Sequence, residues 1–274
     1  MTALRRFGVS LAVFLCVSVA ALNATPSGEA LARVLRIDDL AQALHHEGID
    51  HAQNLDVEML DGRGGAHWSR QAARIYEVDR IAGAIRGVLS DGLAEDEATQ
   101  TIAFFDSPLG QEILSLEIAA RISMRDPDVE AAARAIHDGL KGTGDPRLAL
   151  VTRFVAVNDL VERNVAGAMS ASYQFLRGLS DGGATGLDDA AILAEVWAEE
   201  PATRDETERW LFAYLLMAYR PLTDDELQAY ITFSESPAGQ ALNAALFDGF
   251  DLLYRGISYE LGLSLAGALT ASDI

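Results

Sequence analysis

The sequence predicts an all-α protein, a helical bundle of two duplicated modules joined by a long helix. Three observations carry this expectation. Apolar residues recur at spacings of three and four along nearly the whole chain, no run of alternating β-branched residues is bounded by hairpin turns, and one short string is written twice. The string Phe104-Phe105-Asp106-Ser107-Pro108-Leu109-Gly110-Gln111 returns 129 residues later as Phe233-Ser234-Glu235-Ser236-Pro237-Ala238-Gly239-Gln240. Without a gap, Leu93 to Gln111 matches Leu222 to Gln240 at 9 of 19 positions, where ordinary composition gives about one or two.

The chain opens on a secretory signal, residues 1–24. Arg5 and Arg6 supply the positive start, Phe7 to Ala21 the apolar run, and Val19-Ala20-Ala21 or Leu22-Asn23-Ala24 a small-residue cleavage site. A helix over that run spans about 22 Å against a hydrocarbon core of about 30 Å, which favours a cleaved leader over an anchor. Cys16 follows Leu15, where a lipoprotein signal would have a small residue, and it is the only cysteine. The mature chain then has no thiol, which excludes disulfides, zinc–thiolate clusters and cysteine nucleophiles. The formal charge of −20 moves to about −22 once Arg5 and Arg6 are lost. Nucleic acid and bare anionic membrane are excluded as partners, and the acidity reads as a solvated surface.

Turn chemistry clusters at Asp61 to Gly65, Lys141 to Pro146 and Ser180 to Gly186. The middle cluster divides the chain into a first helical module, 25–144, and a second part, 145–274, made of the long linking helix and the second module. Ile75, Val78, Ala82, Ile85 and Leu89 form one stripe. Val151, Phe154, Asn158, Val161, Val165, Ala168, Ser172, Phe175 and Leu179 form another, on a linking helix about 43 Å long. A third runs from Leu242 to Leu261; Asp248, Asp251, Arg255 and Glu260 interrupt it, so it is a core helix and the mature chain does not span a membrane. Asn158 inside an apolar stripe implies a buried amide that fixes register or a homodimer.

The repeated string is a helix-to-helix corner. Proline disfavours α geometry at the residue before it, so Ser107 and Ser236 end one helix and cap the next, with Pro108 and Pro237 at its first position. Glycine inside a helix is unfavourable by up to about 1 kcal/mol relative to alanine, so Gly110 and Gly239 imply a close backbone approach. Gln111 and Gln240 either bond carbonyls left open at a helix end or line a cleft between modules. Upstream, Thr223-Asp224-Asp225-Glu226 fits a capping box, whereas Ala94-Glu95-Asp96-Glu97 lacks the hydroxyl and keeps only the charge effect. At the same offset Trp68 pairs with Trp197, and both read as core anchors.

With Leu-x-x-Asp-Glu and Phe-x-x-Ser-Pro-x-Gly-Gln each present twice, the chain resembles the family catalogued as domain of unknown function 2059, exported helical proteins of Gram-negative bacteria. The resemblance covers Leu93 to about Leu114 and Leu222 to about Leu242. It implies a helical fold and a periplasmic address, with no reaction, cofactor or catalytic residue to carry over.

The densest set of metal-ligand side chains is His45-His46-Glu47-Gly48-Ile49-Asp50-His51. His46, Glu47 and His51 nearly spell His-Glu-x-x-His, but the second histidine falls one residue late and rotates off the face. The sequence therefore reads as an exported, non-enzymatic helical protein without a cofactor, binding another protein or an envelope component. Alternatives are a carrier of an apolar small molecule or lipid, and a metal-dependent hydrolase built on His46, His51 and Glu47. Candidate binding residues are those of the two corners together with Trp68 and Trp197.

Overall fold

The computed structural model describes residues 26–272; the expected secretory signal, Cys16 and both expected cleavage sites lie outside them. The described residues are helical, without a strand. In chain order they form α1 (Pro26–Val34), α2 (Ile37–Leu60), α3 (Gly65–Ile75), α4 (Val78–Gly92), α5 (Glu95–Phe105), α6 (Pro108–Ser123) and α7 (Pro127–Leu140). There follow α8 (Pro146–Val157), α9 (Leu160–Asp181), α10 (Asp189–Ala198), α11 (Glu200–Tyr219), α12 (Asp224–Glu235) and α13 (Pro237–Ser272). No helix among the described residues is long and apolar enough to cross a membrane.

Both corners form as the sequence dictates. Ser107 accepts from the Gly110 amide at 3.1 Å and donates to the Phe104 carbonyl at 2.6 Å; Ser236 accepts from Gly239 and donates to Phe233 at the same distances. Each glycine sits over the end of the preceding helix. A Cβ on Gly110 would strike the Phe104 carbonyl oxygen and lie 2.5 Å from the Phe105 Cα, and one on Gly239 would strike the Phe233 carbonyl and lie 2.7 Å from the Ser234 Cα. Of the two roles open to the glutamines, the helix-end role is the one observed. Gln111 Nε2 donates to the Phe105 carbonyl (2.7 Å) and to Val34 at the end of α1 (2.8 Å). Gln240 Nε2 donates to Ser234 (2.6 Å) and to Val157 at the end of α8 (3.1 Å).

The second of these bonds marks a correction. The expected linking helix is broken after Val157, because Asp159 takes a left-handed backbone (φ 52°) between α8 and α9, just as Arg36 does (φ 55°) between α1 and α2. A break leaves carbonyls without helical partners, and side chains from the first turns of α6 and α13 collect them. Asn158 is buried at this break. Its amide donates to Phe154 and its carbonyl accepts from Asn243, so it caps α8. The longest helix is instead α13, 36 residues or about 54 Å. Likewise, the stripe from Ile75 to Leu89 spans two helices, parted at Tyr76 and Glu77.

Two large cores result, beside a small cluster of Met124, Ala133 and Ala213, and neither large core follows the division at 144/145. Ile81, Ile85 and Leu89 of α4 and Phe105 of α5 pack with Leu242, Leu253, Ile257 and Leu261 of α13. Ile113 and Ala120 of α6 pack with Val151 and Phe154 of α8, Leu215 and Tyr219 of α11, and Ile231 of α12. Each corner thus throws its following helix across to the other half. Phe104 of α5 and Phe233 of α12, matching residues of the repeated string, stack with ring centroids 4.2 Å apart and 12° between planes. Tyr230 also stacks on Phe104, with ring centroids 5.8 Å apart. Arg80 of α4 closes on Glu260 of α13 through two hydrogen bonds of 2.5 and 2.9 Å.

Alanine normally stabilises a helix relative to glycine by about 1 kcal/mol. At the corners the sign should reverse: Gly110→Ala and Gly239→Ala are each expected to destabilise by about 1–3 kcal/mol through overpacking against backbone, measured by urea unfolding.

Candidate ligand cleft

Helices α9 and α13 pack most closely at Gly178 and Gly262. A Cβ on Gly178 would strike the Tyr259 carbonyl, and one on Gly262 would strike that of Phe175. Further toward the start of α9, the small residues Ala166, Gly167, Ala168 and Ala171 line open space instead. Two clefts adjoin there, sharing Leu44 of α2, Ala171 of α9 and Tyr254 of α13. One, about 590 Å³, is lined by α2, α9, α10 and α13, with Leu55, Tyr76, Phe175, Leu176, Val196 and Ile257 forming most of an apolar wall. The other, about 770 Å³, is lined by Arg121 of α6, Arg163 and Asn164 of α9, and Asn243, Leu246, Phe247 and Phe250 of α13. Clefts of roughly 300–1,000 Å³ with apolar walls and few polar groups are the usual form of small-molecule sites.

Part of the charge around the clefts is paired, while Glu195, Glu199 and Asp248 line them without an ion pair among the described residues. Arg121 Nε lies 2.7 Å from Glu47 Oε1, and its Nη2 donates to Oε2 at 2.9 Å. Burial works against the Arg121 charge, but Glu47 outweighs it and keeps the guanidinium firmly protonated. One helical turn on, Arg125 pairs with Asp50 at 2.6 Å. Burial raises the Tyr254 hydroxyl above its ordinary range. It does the same to Tyr76, whose carbonyl is in contact with His45 Nδ1 at 2.7 Å.

The residues singled out in the sequence are dispersed, except that Glu47 and His51 both line the first cleft, where burial lowers the His51 pKa. Ser107, Pro108, Gly110, Gln111 and their counterparts Ser236, Pro237, Gly239 and Gln240 build the corners and line neither cleft. Trp68 is buried and donates Nε1 to the Ala52 carbonyl at 2.8 Å. Trp197 is not a core anchor: it is 65 % exposed. The offset that pairs the tryptophans in sequence fails in space, since Trp68 lies in the first turn of α3 and Trp197 in the last turn of α10. Ala94 keeps half of a capping box, because Glu97 reaches back to its amide at 2.9 Å, beside the complete box of Thr223 and Glu226. Glu47 is held by Arg121, and His46 faces solvent. Among the described residues no three His, Cys, Asp or Glu side chains gather as a metal site.

Arg121, Arg163, Phe247 and Tyr254 carry the polar and aromatic character of the cleft, and none was singled out in the sequence. They come from three helices far apart in the chain, so no local motif could gather them. The run Ala166-Gly167-Ala168 was the available signal, a patch of small residues where a helix face leaves room.

One buried acid needs separate account. Glu117 of α6 accepts from the Tyr219 hydroxyl at 2.6 Å and the Tyr230 hydroxyl at 3.4 Å, while its carbonyl accepts from Tyr214 at 3.1 Å. It lines neither cleft, so it serves the second core rather than a substrate. Burial raises its pKa above the ordinary 4.5, the two hydroxyls pulling it partly back. Between the unfolded value and this higher folded value the native state binds more proton than the unfolded chain, so stability falls as pH rises through that window.

The comparisons with known proteins add no chemistry. Residues 79–137, from α4 into α7, match the family model described as "Uncharacterized protein conserved in bacteria (DUF2059)". The match takes in the first Ser-Pro corner. The second corner lies outside it. No curated protein and no solved structure matches the chain.

Glu117→Gln removes the buried titration. Its stability relative to the natural chain should improve from pH 4 to pH 8, by on the order of 1 kcal/mol per unit that burial has raised the acid; urea unfolding at both pH values checks this, and a difference that stays flat contradicts it.

Proposed function

We propose that this chain is an exported, non-enzymatic binding protein of the bacterial envelope, and that it takes an apolar envelope component of lipid-like chemistry into the cleft between α2, α9 and α13. The observation that carries the reading is the paired cleft itself: two adjoining spaces of about 590 and 770 Å³ with largely apolar walls, lined by helices from both halves of the chain. Two ionisable groups at or beside it are engaged in ways that favour holding over reacting. Glu47 is bound by Arg121, and His45 touches the Tyr76 carbonyl, which leaves neither poised as a general base. The secretory signal at residues 1–24 supports delivery to the periplasm.

Among the readings that the sequence left open, the cleft supports an apolar ligand over a protein partner. A protein-binding role has one observation of its own: Leu193 and Trp197, one turn apart on α10, are 47 % and 65 % exposed.

Two measurements test the proposal. Ala171 lines both clefts, so Ala171→Trp should weaken binding of the neutral probe N-phenyl-1-naphthylamine at least about tenfold with helical circular dichroism unchanged; equal binding by both proteins would remove the cleft as the site. The intact mass of the chain recovered from a periplasmic fraction should lack about the first 21 to 24 residues, whereas a full-length chain held in the inner membrane would overturn the assigned location.

A further inference from the structure

Arg163 stands apart from the other arginines near the cleft. It is half-buried on α9, its guanidinium lies 5.4 Å over the Phe247 ring, and its buried Nε has no hydrogen-bond partner. Arg121 is bound to Glu47, Arg125 to Asp50 and Arg255 to Asp251, so each of those charges is answered. Arg163 has no such carboxylate among the described residues, although Asp248 and Asp251 line the same cleft. Asp248 is exposed and solvated, and Asp251 is turned to Arg255 at 3.6 Å. The contact with Phe247 stabilises the cation but offers its N–H groups no acceptor.

A buried guanidinium N–H without an acceptor is unfavourable, and an incoming anion supplies what is missing; arginine is suited to carboxylate and phosphate because it presents paired N–H donors. Around Arg163 the cleft offers the second amide N–H of Asn164 and of Asn243, whose first donates to the Leu160 and Asn158 carbonyls, and Leu246, Phe250 and Leu44 as apolar wall. The walls continue through Tyr254 and Ala171 into the neighbouring cleft. A polar anchor at one end and an apolar path leading away is the shape of a single-chain amphiphile with an anionic head. We infer that Arg163 is the head-group anchor of this cleft, which selects single-chain amphiphiles bearing a carboxylate or phosphate over neutral ones of the same length. The inference rests on the cleft being a binding site and adds the chemical class of its ligand.

The test uses three ligands of equal chain length, dodecanoate, dodecyl phosphate and dodecanol, each displacing N-phenyl-1-naphthylamine from the chain at pH 8. Dodecanoate, dodecyl phosphate or both should bind at least tenfold more tightly than dodecanol, and which anion leads tells a fatty acid from a phospholipid-type head. In Arg163→Gln that preference should fall to within about threefold while dodecanol affinity stays constant; Arg163→Lys should retain part of it. Equal affinity for all three in the natural chain, a result that needs no variant, overturns the inference and leaves the cleft intact as an apolar site. A preference that survives Arg163→Gln overturns it as well. Failure of all three to displace the probe overturns both this inference and the proposed function.

Discussion

The stack of Phe104 on Phe233 is the contact on which the two halves of this protein depend. Both rings belong to the repeated string, each three residues before its Ser-Pro corner, and each carbonyl accepts the serine hydroxyl of that corner. The ring and the bend are therefore fixed together. Because equivalent residues meet, the contact is self-complementary, as in a symmetric dimer folded into one chain. From it α6 and α13 depart in exchanged directions, each completing a core supplied mainly by the other half. Glycine at the corner, glutamine at the freed carbonyls and the left-handed residues Arg36 and Asp159 all serve that exchange.

The cleft is a consequence of the same arrangement. Where Gly178 and Gly262 let α9 and α13 touch backbone to backbone, the helices leave no space. Where α9 turns small residues toward α13, the gap must be closed by α2 or by something else, and α2 closes it only in part, at Leu44. The Glu47–Arg121 pair ties α2 to α6 across this region. An ion pair about a quarter exposed at each partner adds orientation more than stability, which suits a wall that must hold its place beside an open space.

Much of the fold was legible in the sequence because its signals are local. Ser-Pro before an apolar run, Thr223 with Glu226, and the apolar stripe of α13 each act within a few residues, and each appears where chain chemistry places it. What was misread depends on distant partners. The break at Asp159 is invisible in the 3,4 pattern, which continues across it; only Gln240 and Asn243, over eighty residues later, stabilise the carbonyls it frees. Trp197 matches Trp68 in sequence, yet the connection from α9 to α10 is longer than that from α2 to α3, and Trp197 falls at a helix end and out of the core. The cleft was least legible of all, since its arginines and aromatic rings meet only once three helices have packed.

The central claim is that the two halves are joined through the matching phenylalanines, and a double-mutant cycle tests it most directly. Urea unfolding of Phe104→Ala, Phe233→Ala and the double variant should give single losses of about 3–5 kcal/mol and a combined loss smaller than their sum by about 1 kcal/mol. Strict additivity would show that the rings stabilise their own halves independently and would contradict the account.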